Sequence, residues 1–187
     1  VLIPPRIKAL FYALSCDRLE LFSCRTQSLF MSIQDSVEWQ ILKFNQLTAN
    51  TLYEILKLRV DVFVVEQACA YPELDDKDRH PETQHLIGLS PAGELLTYAR
   101  ILPPGLSYPE ASIGRVVVSS AGRGKGLAMP LMQRAIESAL STWPKAGIQI
   151  GAQDYLKNFY QKLGFNICSE MYLEDGIPHI DMRYQPK

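Results

Sequence analysis

No apolar run in this 187-residue chain approaches the roughly 20 residues that a membrane-crossing helix needs, so nothing in it predicts a transmembrane span. Charge of one sign is equally scarce. Nineteen basic and 20 acidic side chains leave a formal net charge of −1, which gives no general attraction for nucleic acid or an anionic membrane. The four cysteines, Cys16, Cys24, Cys69 and Cys168, form no Cys-x-x-Cys pair, and the chain has no Asn-x-Ser/Thr sequon. Free thiols in a reducing, cytoplasmic compartment are expected, not a secreted disulfide scaffold. His80 and His85 share no metal-ligand spacing with cysteines or carboxylates, so no metal is expected.

No low-complexity stretch or charge block divides the chain, and 47% hydrophobic residues suffice to bury one core. Residues 1–30 stand apart. They mix apolar residues with Pro4, Pro5, Arg6, Lys8, Arg18 and Arg25 without sustained periodicity. A signal peptide wants basic residues first, then an unbroken apolar stretch, then small residues at a cleavage site, and this segment supplies none of these cleanly. Residues 1–30 therefore read as a leader of translated upstream or vector-derived sequence, Met31 as the natural start, and 31–187 as a single domain.

Val37 to Phe44 suits a first strand, and Thr51-x-x-Glu54 forms a capping box ahead of a helix carrying Leu52, Ile55, Leu56 and Phe63. That helix is expected to end near Gln67. A loop rich in proline and acids, Ala68 to Gln84, precedes a hairpin of His85–Ser90 with Glu94–Leu102 across Pro91, Ala92 and Gly93. Glu73, Asp75, Asp76 and Asp78 within the loop read as a solvated run or as steering for a cationic substrate. Ala111–Ser119 is a strand, Lys125–Leu140 a helix, Ile148–Ala152 a strand, and Tyr155–Leu163 a helix with a left-handed cap at Gly164. A hairpin of Asn166–Leu173 with Ile177–Tyr184 turns at Glu174, Asp175 and Gly176. The order is β-α-β-β-β-α-β-α-β-β, an α/β (α+β) arrangement.

The segment richest in chemistry joins the strand ending Val116, Val117 and Val118 to the helix carrying Leu131, Met132, Ala135 and Ile136. Between them stand Gly122, Arg123, Gly124, Lys125 and Gly126. Glycines there let a ligand approach the amides, and a helix N-terminus favours an anion. A P-loop needs Gly-x4-Gly-Lys-Ser/Thr, but Ser119 stands at its first glycine and Gly126 follows Lys125. Gly-x-Gly-x-x-Gly fails because Leu127 and Met129 occupy the third glycine positions. Pro130 is discordant: outside the first helical turn it would kink the helix or shift its start.

Arg123-x-x-Gly126-x-Ala128 resembles the Arg/Gln-x-x-Gly-x-Gly/Ala signature of GNAT acyltransferases. Asn158, Phe159, Tyr160, then Gly164 and Phe165, resemble the Phe-Tyr-x-x-x-Gly-Phe segment of the same superfamily. Leu58 to Gln67, Ala99 to Leu102, Gly151 to Gln153 and Glu174 to Ile180 are similar to its ElaA-type branch. The resemblance runs from about Trp39 to Tyr184. It implies the GNAT fold, a central mixed, mostly antiparallel sheet splayed at its middle with helices on both faces. It also implies direct transfer of the acetyl group of acetyl-CoA to a primary amine in a ternary complex.

On that resemblance Val116, Val117, Val118, Arg123, Gly124, Lys125, Gly126, Leu127, Ala128, Gln153 and Asn158 hold the cosubstrate. Gln153 departs from the asparagine common in the superfamily. Val118 N–H is the oxyanion donor. Tyr160 is the general acid, against a core aromatic with a satisfied hydroxyl. Glu66 is the general base, against an ordinary solvated glutamate. Arg59 and His179 contact the acceptor, with a structural histidine as the other reading of His179. The expected partners are acetyl-CoA and an amine, without nucleic acid or membrane, and a homodimer stays open. An acyl-CoA-sensing module without turnover is the alternative function.

Overall fold

The computed structural model describes residues 36–186, so the leader lies outside the described residues. Four antiparallel strands form one half of the sheet: β1 (Glu38–Leu42), β2 (Gln84–Leu89), β3 (Leu95–Leu102) and β4 (Ala111–Val118). In the other half, β5 (Ile148–Gln153) pairs antiparallel with β8 (Ile177–Tyr184), whose far edge carries β6 (Asn166–Ile167) and β7 (Tyr172–Glu174). The order is β1-β2-β3-β4-β5-β8-β6, with β7 also on β8. The strand expected over 166–173 is thus two short ones. The final hairpin turns at Asp175 and Gly176, both with positive φ, as a tight right-twisted hairpin requires.

The halves meet along one parallel seam, where only Ala111 pairs with Ile148 and Ser112 with Gln149. Beyond Ser112, β4 and β5 part.

Alternation along the strands divides most of the core between the two faces of the sheet, with a third small cluster at Val37, Leu96 and Leu127. Leu86, Ala99 and Ile101 face a large cluster, whereas Ile87 and Tyr98 face a smaller one on the other side of the sheet. The large cluster is covered by α2 (Ala128–Thr142) and α3 (Lys157–Lys162). The smaller one is covered by α1 (Ala49–Arg59), which runs on as a π-helix over Val60–Glu66. A bulge interrupts β4: Tyr98 opposes Val117, but Arg100 opposes Gly114, one residue more on the β4 side. Arg115 absorbs the extra residue with φ +53. Ile113 and Val117, four apart and so ordinarily on one face, consequently enter opposite clusters.

Three local expectations need correction. The α1 N-cap is Thr48, whose hydroxyl accepts from Thr51 N–H at 3.0 Å, so the capping box at Thr51 does not form. Helix α2 begins at Ala128, not Lys125, because Gly124 and Gly126 take left-handed φ values of +73 and +69 that no helix accommodates. Pro130 is thereby the third residue of α2, within the first turn. Its missing N–H is one of those that have no intrahelical acceptor, so it costs α2 no hydrogen bond. Among the described residues no helix is long and apolar enough to cross a membrane.

Candidate active site

A cavity of about 470 Å³ fills the gap where β4 and β5 part. Ile113 to Val116 form one wall, Gly151 to Gln153 the other, and Leu156, Phe159 and Tyr160 close it from α3 and the turn before it. His179 on β8, Glu174 and Asp175 in the last hairpin, and Cys69 beyond the π-helix line the opposite side.

Tyr160 is 8% exposed and held edge-on between Phe159 and Phe165, with ring centroids 5.1 and 6.0 Å away. Burial pushes its phenol up to about 12, so the hydroxyl stays protonated at neutral pH. Across the gap, Ser119 N–H donates to Leu96 O at 2.8 Å. Strand alternation therefore turns Val118 N–H toward the edge that β5 has left. Val116 lines the cavity, and Val117 packs behind it against Ile55, Val62, Ile87 and Tyr98.

The glycine turn follows directly. Ser119 O accepts from Gly122 N–H at 2.9 Å and Arg123 N–H at 3.0 Å, tightening the bend. No backbone acceptor is found for the amides of Gly124, Ala128 and Met129 among the described residues. A Cβ built on Gly124 would meet nothing within 4 Å, so the bend is open on that side. Leu127 and Ala128 bury their side chains and offer only backbone, while Lys125 is half-buried. These amides at a helix start suit a pyrophosphate.

Three expected residues, Arg59, Glu66 and Asn158, are absent from the cavity lining. Arg59 does not reach the cavity. It is fully buried, ion-paired to Glu73 through Nε and to Asp78 Oδ1 at 2.8 Å, with its guanidinium 5.7 Å from the Tyr98 ring centre. Glu66 lies outside the cavity lining, and both its oxygens accept from Arg123, at 2.9 and 3.2 Å. The Glu66 carboxylate is thus engaged by Arg123. Asn158 is exposed on α3, away from the cavity, whereas Gln153 lines it and accepts from the Tyr155 hydroxyl at 2.6 Å.

The acidic loop is also not a solvated run. Glu73 and Asp78 are buried, and with Asp75 they meet Arg59, Arg100 and Arg115. Arg100 grips Asp75 through both terminal nitrogens at 2.7 Å and reaches Asp78 at 3.1 Å; Arg115 Nε lies 2.7 Å from Glu73. Burial alone would raise the Asp75 carboxyl, but the Arg100 hydrogen bonds and charge, aided by Arg115, hold it down to about 2. Asp75, Arg100, Arg115 and Tyr71 floor one end of the cavity. Sequence reasoning missed this floor. Its available signal was Arg100, a charge between Ala99 and Ile101 in an apolar strand.

The model of the Acetyltransferase (GNAT) domain matches residues 59–186, which take in the bulged strand, the glycine turn and Tyr160. The chain belongs to the GNAT acyltransferases, enzymes that use an acyl-CoA as cosubstrate. Within that family it is similar to Protein ElaA of Escherichia coli (strain K12), at 43% identity over 146 residues, 78% of this chain and 95% of ElaA. The crystal structure of an acyl-CoA N-acyltransferase from Pseudomonas aeruginosa is 43% identical, with a TM-score of 0.76 covering 80% of this chain and 100% of that one. Escherichia coli ElaA itself superposes with a TM-score of 0.75 at 42% identity, covering 80% and 99%.

Proposed function

We propose that this acyltransferase is an N-acetyltransferase, moving the acetyl group of acetyl-CoA onto a primary amine by direct transfer in a ternary complex. The observation that carries the reading is the parting of β4 from β5 after two residue pairs, with a cavity between the exposed edges. An extended, amide-bearing arm that ends in a thioester fits between two such edges. The glycine turn, at the end of β4, suits the pyrophosphate at the other end of that arm.

The chemistry needs three things. The thioester carbonyl must be polarised, and Val118 N–H, on the β4 edge that β5 has left just beyond the cavity lining, is the donor on this reading; a donor of that kind contributes about 3–4 kcal/mol. The amine must arrive unprotonated. The departing thiolate must be protonated, and Tyr160 supplies a hydroxyl for that. A thiolate is a weaker base than the phenolate of this buried tyrosine, so its protonation is drawn forward by the nitrogen proton that replaces the one Tyr160 gives up. The second proton of the attacking nitrogen, acidic once the C–N bond has formed, refills the phenolate.

Thiol release from acetyl-CoA, measured with the purified chain over a panel of primary amines, polyamines and peptides, tests this. The expected result is amine-dependent release that falls about 10²–10⁴-fold in kcat in Tyr160→Phe, with acetyl-CoA affinity retained. Tight acetyl-CoA binding with no release for any acceptor would overturn the enzyme and leave an acyl-CoA-sensing module.

A further inference from the structure

With Glu66 tied to Arg123 outside the cavity, the mechanism lacks a group to take the first proton from the incoming ammonium. Resting on the acetyltransferase reading, we infer that His179 Nε2 is the general base.

His179 is on β8 between Ile177 and Asp181, on the face opposite the buried Ile180 and Met182, and it lines the cavity. Its ring is fixed on two sides. Tyr172, its cross-strand partner on β7, stacks on it with centroids 6.1 Å apart and planes 26° from parallel, and Tyr172 is itself held by Asp181 at 3.0 Å. Nδ1 lies 2.8 Å from Ile177 O. A carbonyl oxygen only accepts, so Nδ1 must carry the proton, and the neutral imidazole has its basic lone pair on Nε2. The side chain is 13% exposed.

The groups around it suit the task. Glu174 Oε2 lies 4.0 Å from Nε2 on a side chain that is 58% exposed, so a proton taken by the ring has a carboxylate beside it that opens to solvent. Asp175 and Cys69 share this side of the cavity, with Cys69 Sγ 3.8 Å from Asp175 O, and Gln153 opposes His179 from β5. The protons balance. Nε2 removes one from R–NH3+ and passes it by way of Glu174 to water; the free amine forms the C–N bond, C–S breaks, Tyr160 protonates the sulfur, and the second nitrogen proton restores Tyr160. One proton is released per acetyl group transferred.

The assignment is tested with His179→Asn, which keeps a donor for Ile177 O and removes the base, alongside His179→Ala assayed with added imidazole. The expected result is a kcat lowered about 10²–10⁴-fold in His179→Asn with acetyl-CoA affinity unchanged. The acidic limb of the wild-type pH profile disappears in that variant, and imidazole restores turnover in His179→Ala. An active wild type with His179→Asn within threefold of it, or with its acidic limb intact, overturns this assignment alone. A wild type inert toward every amine overturns the acetyltransferase reading and this assignment together.

Discussion

Arg123 is already engaged: its Nε–H donates to Val118 O at 3.3 Å and its terminal nitrogen is occupied by Glu66, so on the proposed function a pyrophosphate at the glycine turn would compete with a carboxylate for one guanidinium. Both side chains are partly exposed, at 22% and 39%, and an exposed pair is worth at most about 1 kcal/mol. Glu66→Gln should therefore tighten acetyl-CoA binding by about two- to fivefold in titration calorimetry, with the gain shrinking as salt is added. Weakened binding would show Glu66 to support the loop. The same residue marks a limit of motif reading. The pattern from Leu58 to Gln67 was visible in sequence, but the direction of each side chain was not. The π-helix has a wider turn than the 3.6-residue period assumed from the apolar spacing, and Gln67 N–H and Cys69 N–H each bond five residues back. Arg59 and Glu66 sit at the two ends of that altered stretch.

At the scale of elements, the loop from Glu73 to Asp78 is fastened to the sheet by charge. Its three carboxylates and three arginines come from α1, β3 and β4 as well as the loop, so they tie together pieces far apart in sequence. That network sets an acid sensitivity. Asp75 titrates at about 2 in the folded protein against 3.8 ordinarily, and Asp78, raised by burial but lowered further by Arg59 and Arg100, also ends below its ordinary value. Depressed carboxyls give stability that is complete above about pH 4 and drains as pH falls toward 2. His85, lowered chiefly by burial, works earlier: below about pH 6.5 the unfolded chain takes up a proton that the folded ring resists. Urea midpoints measured from pH 7 to pH 2 should fall in both windows. In Asp75→Asn the lower window should flatten. A pH-independent midpoint would show the network to be energetically silent. None of this was legible beforehand, because Arg59, Arg100 and Arg115 become neighbours only when three elements pack. The hairpins were legible, since Pro91 to Gly93 and Glu174 to Gly176 settle their turns locally. The β4 bulge was not: Gly114 to Val118 reads as unbroken strand until Arg100 is found opposite Gly114.

For the whole molecule, the sheet is two leaves joined at two residue pairs, and Tyr160 and His179, the proposed acid and base, line the cavity where they part. The succession of elements followed from alternation and turn signals, apart from the 166–173 strand that is split in two, and the family-level fold followed from the resemblance. The splay itself was implied by the resemblance, but the residue at which pairing stops was not, because no residue of β4 or β5 announces it. Stopped pairing has a cost familiar from amyloid and domain swapping: an unpaired strand is a template for another chain, and here two such edges face each other inside one sheet. The ligand-free protein should therefore be the aggregation-prone form, and a bound acyl-CoA would act as a guard against self-association as well as a reactant. At one hundred times its dissociation constant, a ligand specific for the folded state adds about 2.7 kcal/mol. Scanning calorimetry with light scattering should show a higher Tm and delayed turbidity with acetyl-CoA present. Equal turbidity with and without it would mean that the open edges of β4 and β5 are shielded by their burial in the cleft.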